Sequence, residues 1–196
     1  RCAAAGAILV TVLPNAQQFD PANRKYTPFY RALAERKLPF LSHVGYEFSL
    51  IGKDQSVGEP DRLRLALEEG ATVIAAHACS YGLILYEKFL PTLRDLVTRY
   101  PHFYADISAL TLPNRMRMLL HLRQYPELHE RLLFGTDYPL SVFHMAAWGR
   151  VALGTLRKMI GTKNRFDRQV EVCNGLQLGF RSLGDLLPHS SGMAGH

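Results

Sequence analysis

No run of apolar residues in this sequence approaches the roughly 20 that a helix needs to cross a bilayer, so a helical membrane span is excluded. Cysteine is scarce. Cys2, Cys79 and Cys173 are odd in number and far apart, so there is neither a disulfide framework nor a zinc-finger spacing, and a reducing compartment, the cytoplasm, is the expectation. The chain also lacks a G-x-S-x-G elbow, a P-loop and a G-x-G-x-x-G turn. No DNA- or RNA-binding signature accompanies its net charge of +6. The basic residues occur as scattered short pairs (Arg24-Lys25, Arg36-Lys37, Arg115 with Arg117), as on solvated helix faces. Nucleic acid and membrane are therefore not expected partners. The first residue is Arg1, and the apolar stretch after it lacks the layout of a secretory signal and runs straight into a strand-like segment. That start reads as a point inside a larger protein.

What is present is a globular composition, 47% hydrophobic, 20% charged and 10% aromatic over 196 residues, enough for one domain. Five apolar, β-rich runs stand out at residues 7–13 (AILVTVL), 38–42 (LPFLS), 72–76 (TVIAA), 103–107 (FYADI) and 132–136 (LLFGT), with starts 29 to 34 residues apart. Each is apolar on consecutive positions, the pattern of strands covered on both faces in a parallel sheet. Helical stretches lie between them. One opens at Thr27-Pro28 and turns Phe29, Ala32 and Leu33 inward; another opens at Pro60-Asp61 and stops at Gly70. A third carries Leu85, Phe89, Leu93, Leu96 and Tyr100 on one stripe, with Pro91 expected to kink it. A fourth follows Pro113-Asn114, and a weaker one follows Asp167. Strand and helix alternating every 30 or so residues build either a doubly wound sheet or a (β/α)8 barrel, and periodicity does not choose between them.

The ends of the runs carry the ionisable groups: His43 after the second, His77 after the third, Asp106 near the end of the fourth and Asp137 after the fifth. In a barrel these C-terminal strand ends converge on the face where active sites lie, and imidazoles with carboxylates there suit a divalent metal. Taken singly, His43 or His77 reads as a core histidine bonded to a carbonyl, and Asp137 as a helix N-cap. Together they favour a site. Asp106 reads equally as a partner behind the ligands or as a cap, and Cys79 as a small buried residue rather than a nucleophile.

The stretches LPNAQQFDP (13–21), LPFLSHVG (38–45), VIAAHACSYG (73–82), YADISAL (104–110) and LLFGTDYPL (132–140) resemble the amidohydrolase superfamily in its amidohydrolase-related (amidohydrolase-2) branch, which includes aminocarboxymuconate-semialdehyde decarboxylase-like enzymes. The resemblance covers roughly residues 6–145, and its order fits strands four to eight of that barrel. It implies an α/β fold: the C-terminal part of a TIM (β/α)8 barrel, incomplete in this chain. Residues 1–185 would form that partial barrel and 186–196 a disordered tail. The resemblance further implies that His43 matches the histidine that ligates the metal. His77 matches the one that contacts the nucleophilic water or the substrate, and Asp137 the aspartate that ligates metal and shuttles the proton. The family's His-x-His pair has no counterpart before His43, and residues 8–13 contain no lysine to bridge two metals, so one ion, zinc, is expected.

The implied reaction is hydrolysis of an amide, ester or lactone by metal-activated water, with Asp137 and His77 catalytic and His43 and Asp137 on the metal. Tyr46, Tyr81, Ser108, Asn114, Arg115 and Tyr138 are candidate substrate contacts. Arg115 would be a carboxylate anchor, against its plainer reading as an exposed arginine at a helix start. The alternative within the branch is non-oxidative decarboxylation of an aromatic or enoic acid. The non-enzymatic alternative is a catalytically incomplete piece whose outer strands, the first and the last, are open edges, which leaves a homo-oligomer or a split assembly open.

Overall fold

All five apolar runs form strands: β1 (Val10–Val12), β2 (Phe40–Ser42), β3 (Val73–Ala75), β4 (Phe103–Asp106) and β5 (Leu132–Leu133). They are seen in a computed structural model that describes residues 3–47, 54–84 and 86–187. The strands form one parallel sheet in the order β1-β2-β3-β4-β5, with Val10, Phe40, Val73 and Phe103 in register across it. That order decides what periodicity could not. A doubly wound sheet reverses its order at a switch point, whereas each strand here lies beside the one before it, as in a barrel.

Helices cover one face. They are α1 (Pro14–Gln17), α2 (Thr27–Glu35), α3 (Arg64–Glu68), α4 (Leu90–Arg99), α5 (Met116–Leu122), α6 (Leu153–Gly161) and α7 (Arg165–Gly175). The core packs between them and the strand residues of one parity: Val12, Phe40, Val73, Ala75, Phe103, Ala105 and Leu132 join Leu33, Leu67, Leu93, Leu96 and Leu119 in one cluster. Phe40 meets the rings of Phe29 and Tyr30 of α2. On the other parity Thr11 is exposed and Leu41 and Tyr104 are half-buried. This is the face that a closed barrel turns inward.

Several local expectations change. Pro91 does not kink a helix. It occupies the first turn of α4, where its missing N–H costs nothing, and Leu85 of the expected stripe lies outside the described residues. Gly70 is left-handed after α3, as a helix stop should be. No helix follows Asp137. Its carbonyl accepts from Leu140 N in a turn, so the cap reading of this residue fails. The last strand is not wholly open: Arg181 returns alongside it, with Phe134 N donating to Arg181 O and Arg181 N to Leu132 O, both at 2.8 Å. Residues 188–196, most of the expected tail, and Cys2 lie outside the described residues. Among the described residues no helix is long and apolar enough to cross a membrane.

Candidate active site

Four of the five strands hand a polar residue to the same rim. β2 runs directly into His43, β3 into His77, β4 ends on Asp106, and the segment after β5 carries Asp137. The chain turns sharply as it leaves the sheet. His77, Ala78 and Cys79 take φ values of 57°, 46° and 60°, and Asp137 takes 56°. Left-handed backbone costs a side-chain-bearing residue roughly 1–2 kcal/mol, so these turns are held by their surroundings. Gly45 shows how tight the rim is: its φ is +92°, and a Cβ there would stand 2.0 Å from Ser80 O.

The two imidazoles touch. His77 Nε2 lies 3.2 Å from His43 Nδ1, with ring centroids 5.0 Å apart. Behind His77, its Nδ1 is 3.1 Å from Ser108 O and 2.9 Å from Ser108 Oγ. Ser108 Oγ donates to Asp106 Oδ1 at 2.5 Å, and that oxygen also accepts from His77 N and Ser108 N at 2.9 Å. A carbonyl only accepts, and the hydroxyl proton is already committed to Asp106. His77 Nδ1 therefore carries the proton and its Nε2 a lone pair. That lone pair takes the proton of His43 Nδ1, which leaves a lone pair on His43 Nε2. This nitrogen is buried and makes no hydrogen bond.

The charges fit this assignment. Burial, helped by the Arg115 charge, lowers His43 to about 4 despite the opposing pull of Glu47. The same causes, with His43 itself, hold His77 well below its ordinary value. Burial raises Asp106 and Asp137, against the hydrogen bonds to Asp106 and the Arg115 charge on Asp137. Both thiols of the described cysteines are buried and pushed up by burial, Cys173 to about 12, so Cys79 is inert packing.

A cavity of about 430 Å³ opens over this network, lined by His43, Glu47, His77, Asn114, Arg115 and Asp137 together with Tyr46, Tyr138 and leucines. Asp137 is 43% exposed, with Oδ2 4.0 Å from His77 Nε2. Arg115 is not the exposed helix-start residue of the plainer expectation. It is 5% exposed and donates to Ser80 O at 3.1 Å and Tyr46 O at 3.3 Å, in space left by Gly82. Tyr46 lines the cavity. Tyr81 does not: it lines a neighbouring space of about 160 Å³ and packs on Tyr86 and Phe89. Ser108 is absent from the lining of the main cavity but lines an adjoining one of about 290 Å³ with His43, His77, Asp106 and Asp137. Glu47, missed in the sequence, is 8% exposed with Oε2 3.5 Å from His43 Nε2.

Among the described residues no group of three His, Cys, Asp or Glu is placed to hold a metal. The residues present fit part of one: an orphaned neutral imidazole nitrogen and carboxylates facing the same cavity are donors for a divalent ion.

A parallel sheet wound in one direction, with histidines and a carboxylate gathered at the C-terminal ends of its strands, defines an α/β-barrel enzyme scaffold. The sequence matches the amidohydrolase family over residues 1–153, and the chain belongs to that family. The family is generally enzymatic and usually uses a divalent metal. The chain is similar in fold to an uncharacterised TIM-barrel protein from Bordetella bronchiseptica, with a TM-score of 0.53 and 17% identity. The likeness covers 85% of this chain but only 55% of that protein. The architecture is thus five βα units of a TIM barrel. No functionally curated protein matches the chain.

Proposed function

We propose that this chain carries the nucleophile-activating side of a metal-dependent hydrolase acting on an amide, ester or lactone. The observation that carries the reading is the buried, unbonded Nε2 of His43, facing a cavity shared with His77, Arg115 and Asp137. His43 and Asp137 would hold the ion, and an imidazole nitrogen with a carboxylate oxygen is a donor set that zinc accepts. When bound, a divalent metal acts as a Lewis acid that acidifies water and polarises a carbonyl. Asp137 accepts the proton released when water attacks. It is half-exposed at the cavity, and burial already raises its proton affinity. His77, whose Nε2 accepts from His43 Nδ1, holds the His43 ring so that its free Nε2 faces the cavity. Arg115 supplies the cavity's cation and suits a substrate with a carboxylate or a developing oxyanion. A volume of about 430 Å³ suits a small molecule.

The test is a panel of amides, esters, lactones and aromatic or enoic carboxylates, assayed with added zinc and with chelator. Hydrolysis that chelator abolishes, and that Asp137→Asn and His77→Asn reduce by about 10²–10⁴-fold, supports the reading. Metal-dependent release of CO2 from a carboxylate, with no hydrolysis, would replace it by decarboxylation. Turnover indifferent to chelator and to both substitutions would overturn it.

A further inference from the structure

Helix α7 reaches the ends of β4 and β5 through a glutamine. Its buried residues are Gln169, Val172 and Cys173, so Gln169 is the only strongly polar side chain that the helix buries. Gln169 is 2% exposed. Its Nε2 donates to Gly135 O at 2.6 Å and to Ile107 O at 3.3 Å, one amide hydrogen for each carbonyl. Its Oε1 is buried and makes no hydrogen bond among the described residues. The two carbonyls settle the orientation of the amide, because a flipped oxygen would face two acceptors. An apolar side chain of the same size would fill this place without burying an unbonded oxygen, so packing does not explain a glutamine here. What the amide adds is its hold on two carbonyls.

Both carbonyls belong to the site. Ile107 stands between Asp106 and Ser108, where the hydrogen-bond relay through His77 to His43 begins. Gly135 stands two residues before Asp137, and a Cβ on it would lie 3.3 Å from the Cβ atoms of Asp106 and Ser108, so the ends of β4 and β5 are closely seated. The first turn of α7 grips the other side of the same loop. Arg165 Nη1 donates to Pro139 O at 2.6 Å, and the Phe166 ring lies 5.9 Å from that of Tyr138. The loop is thus held before and after Asp137, whose φ of 56° needs support from its surroundings. The Asp137 carboxylate stands 4.0 Å from His77 Nε2, too far for a hydrogen bond, so its backbone sets its place.

We propose that Gln169 is a positioning residue of the candidate active site. It ties the Asp137 loop to the Asp106–Ser108 segment and so fixes the carboxylate against the imidazoles. The proposal rests on Asp137 as the proton acceptor in the reading above. It draws on a helix outside residues 1–153, the stretch matched to the family, so the family resemblance does not supply it.

The test is hydrogen exchange at the backbone amide of Leu140, which donates to Asp137 O at 3.0 Å and so reports the turn. Wild type is compared with three variants. Gln169→Met keeps the length of the side chain and removes the amide. Arg165→Ala removes the second grip from an exposed position. Val172→Ala opens a gap in the core from the same helix, Val172 being fully buried. Gln169→Met is expected to speed Leu140 exchange about tenfold or more and Arg165→Ala about threefold, with Val172→Ala within about twofold of wild type. On the panel substrate that wild type hydrolyses fastest, Gln169→Met is expected to lower kcat about tenfold or more with KM within about threefold, while Val172→Ala leaves both nearly unchanged. As a readout that needs no variant, the Gln169 side-chain amide protons of wild type are expected to exchange far more slowly than those of the exposed Gln177. Leu140 exchange in Gln169→Met no faster than in wild type, or an equal speeding by Val172→Ala, would overturn the proposal. So would unprotected Gln169 amide protons. Faster exchange with kcat unchanged would overturn the positioning role and leave Gln169 a purely structural tie. Absence of any hydrolysis by wild type would overturn the hydrolytic reading, whereas unchanged Leu140 exchange would sink the hold of Gln169 on the loop alone.

Discussion

His77 makes contact on both ring nitrogens, and every one of those contacts bears on protonation. The relay predicts that nitrogen-15 spectra of the histidine rings show both His77 and His43 with the proton on Nδ1. A proton on Nε2 of either would break the chain of inference from Asp106 to the cavity. The same burial sets a pH dependence. His43 is lowered to about 4 and His77 well below 6.5, so below pH 6.5 the unfolded chain takes up protons that the folded chain refuses. The stability these neutral rings carry is complete above pH 6.5 and declines as pH falls from there toward 4. Thermal melts should show a lower Tm at pH 5.5 than at pH 7.5, and a smaller difference in His77→Asn; an unchanged or higher Tm at pH 5.5 would contradict the assignment. Gly45→Ala should cost at least about 2 kcal/mol in urea unfolding, because it combines a left-handed φ with a backbone collision. His43, His77 and Asp137 were legible in the sequence because each directly follows an apolar run. Glu47 was not, because it follows a loop and reaches His43 only through the turn at Gly45. For Arg115 the sequence left a carboxylate anchor and an exposed helix-start arginine side by side, because nothing local says that Gly82 leaves room for its guanidinium.

At the scale of elements, local chemistry and tertiary packing divide the explanation. Strand positions were readable because both neighbours and helices cover them, but the strands are shorter than the apolar runs. Residues 7–9 extend no strand, since among the described residues β1 has a partner on only one side. The helix start marked by Pro28 was readable, and Pro60 opens a 3-10 turn that leads into α3; Pro91 was misplaced because a proline at the first turn and one in the middle look alike without knowing where the helix begins. Helix α6 left little signal. It contains Gly154 and ends at Gly161, and Met159 is its only buried residue. Helix α7 begins two residues before Asp167, at the cap residue Asn164. Asn164 Oδ1 accepts from Phe166 N at 2.8 Å and from Asp167 N at 3.3 Å. Asn164→Ala should therefore destabilise the chain by about 1 kcal/mol in chemical denaturation, and Asn164→Asp by much less. Leu96, fully buried on α4 against the sheet, should cost about 2–5 kcal/mol when changed to alanine.

For the molecule as a whole, the sequential parallel order converts four separate strand ends into one rim, and the rim is what gives His43, His77, Glu47 and Asp137 a common cavity. No single segment of sequence shows that convergence; it emerges when β2, β3 and β4 come into register. The sharpest test of the account is a crystal of the protein grown with zinc and measured across the zinc absorption edge. The account predicts an anomalous peak in the cavity, about 2.1 Å from His43 Nε2 and in contact with the Asp137 carboxylate. No peak in the cavity, with zinc found only at outlying histidines such as His102 or His129, would contradict it.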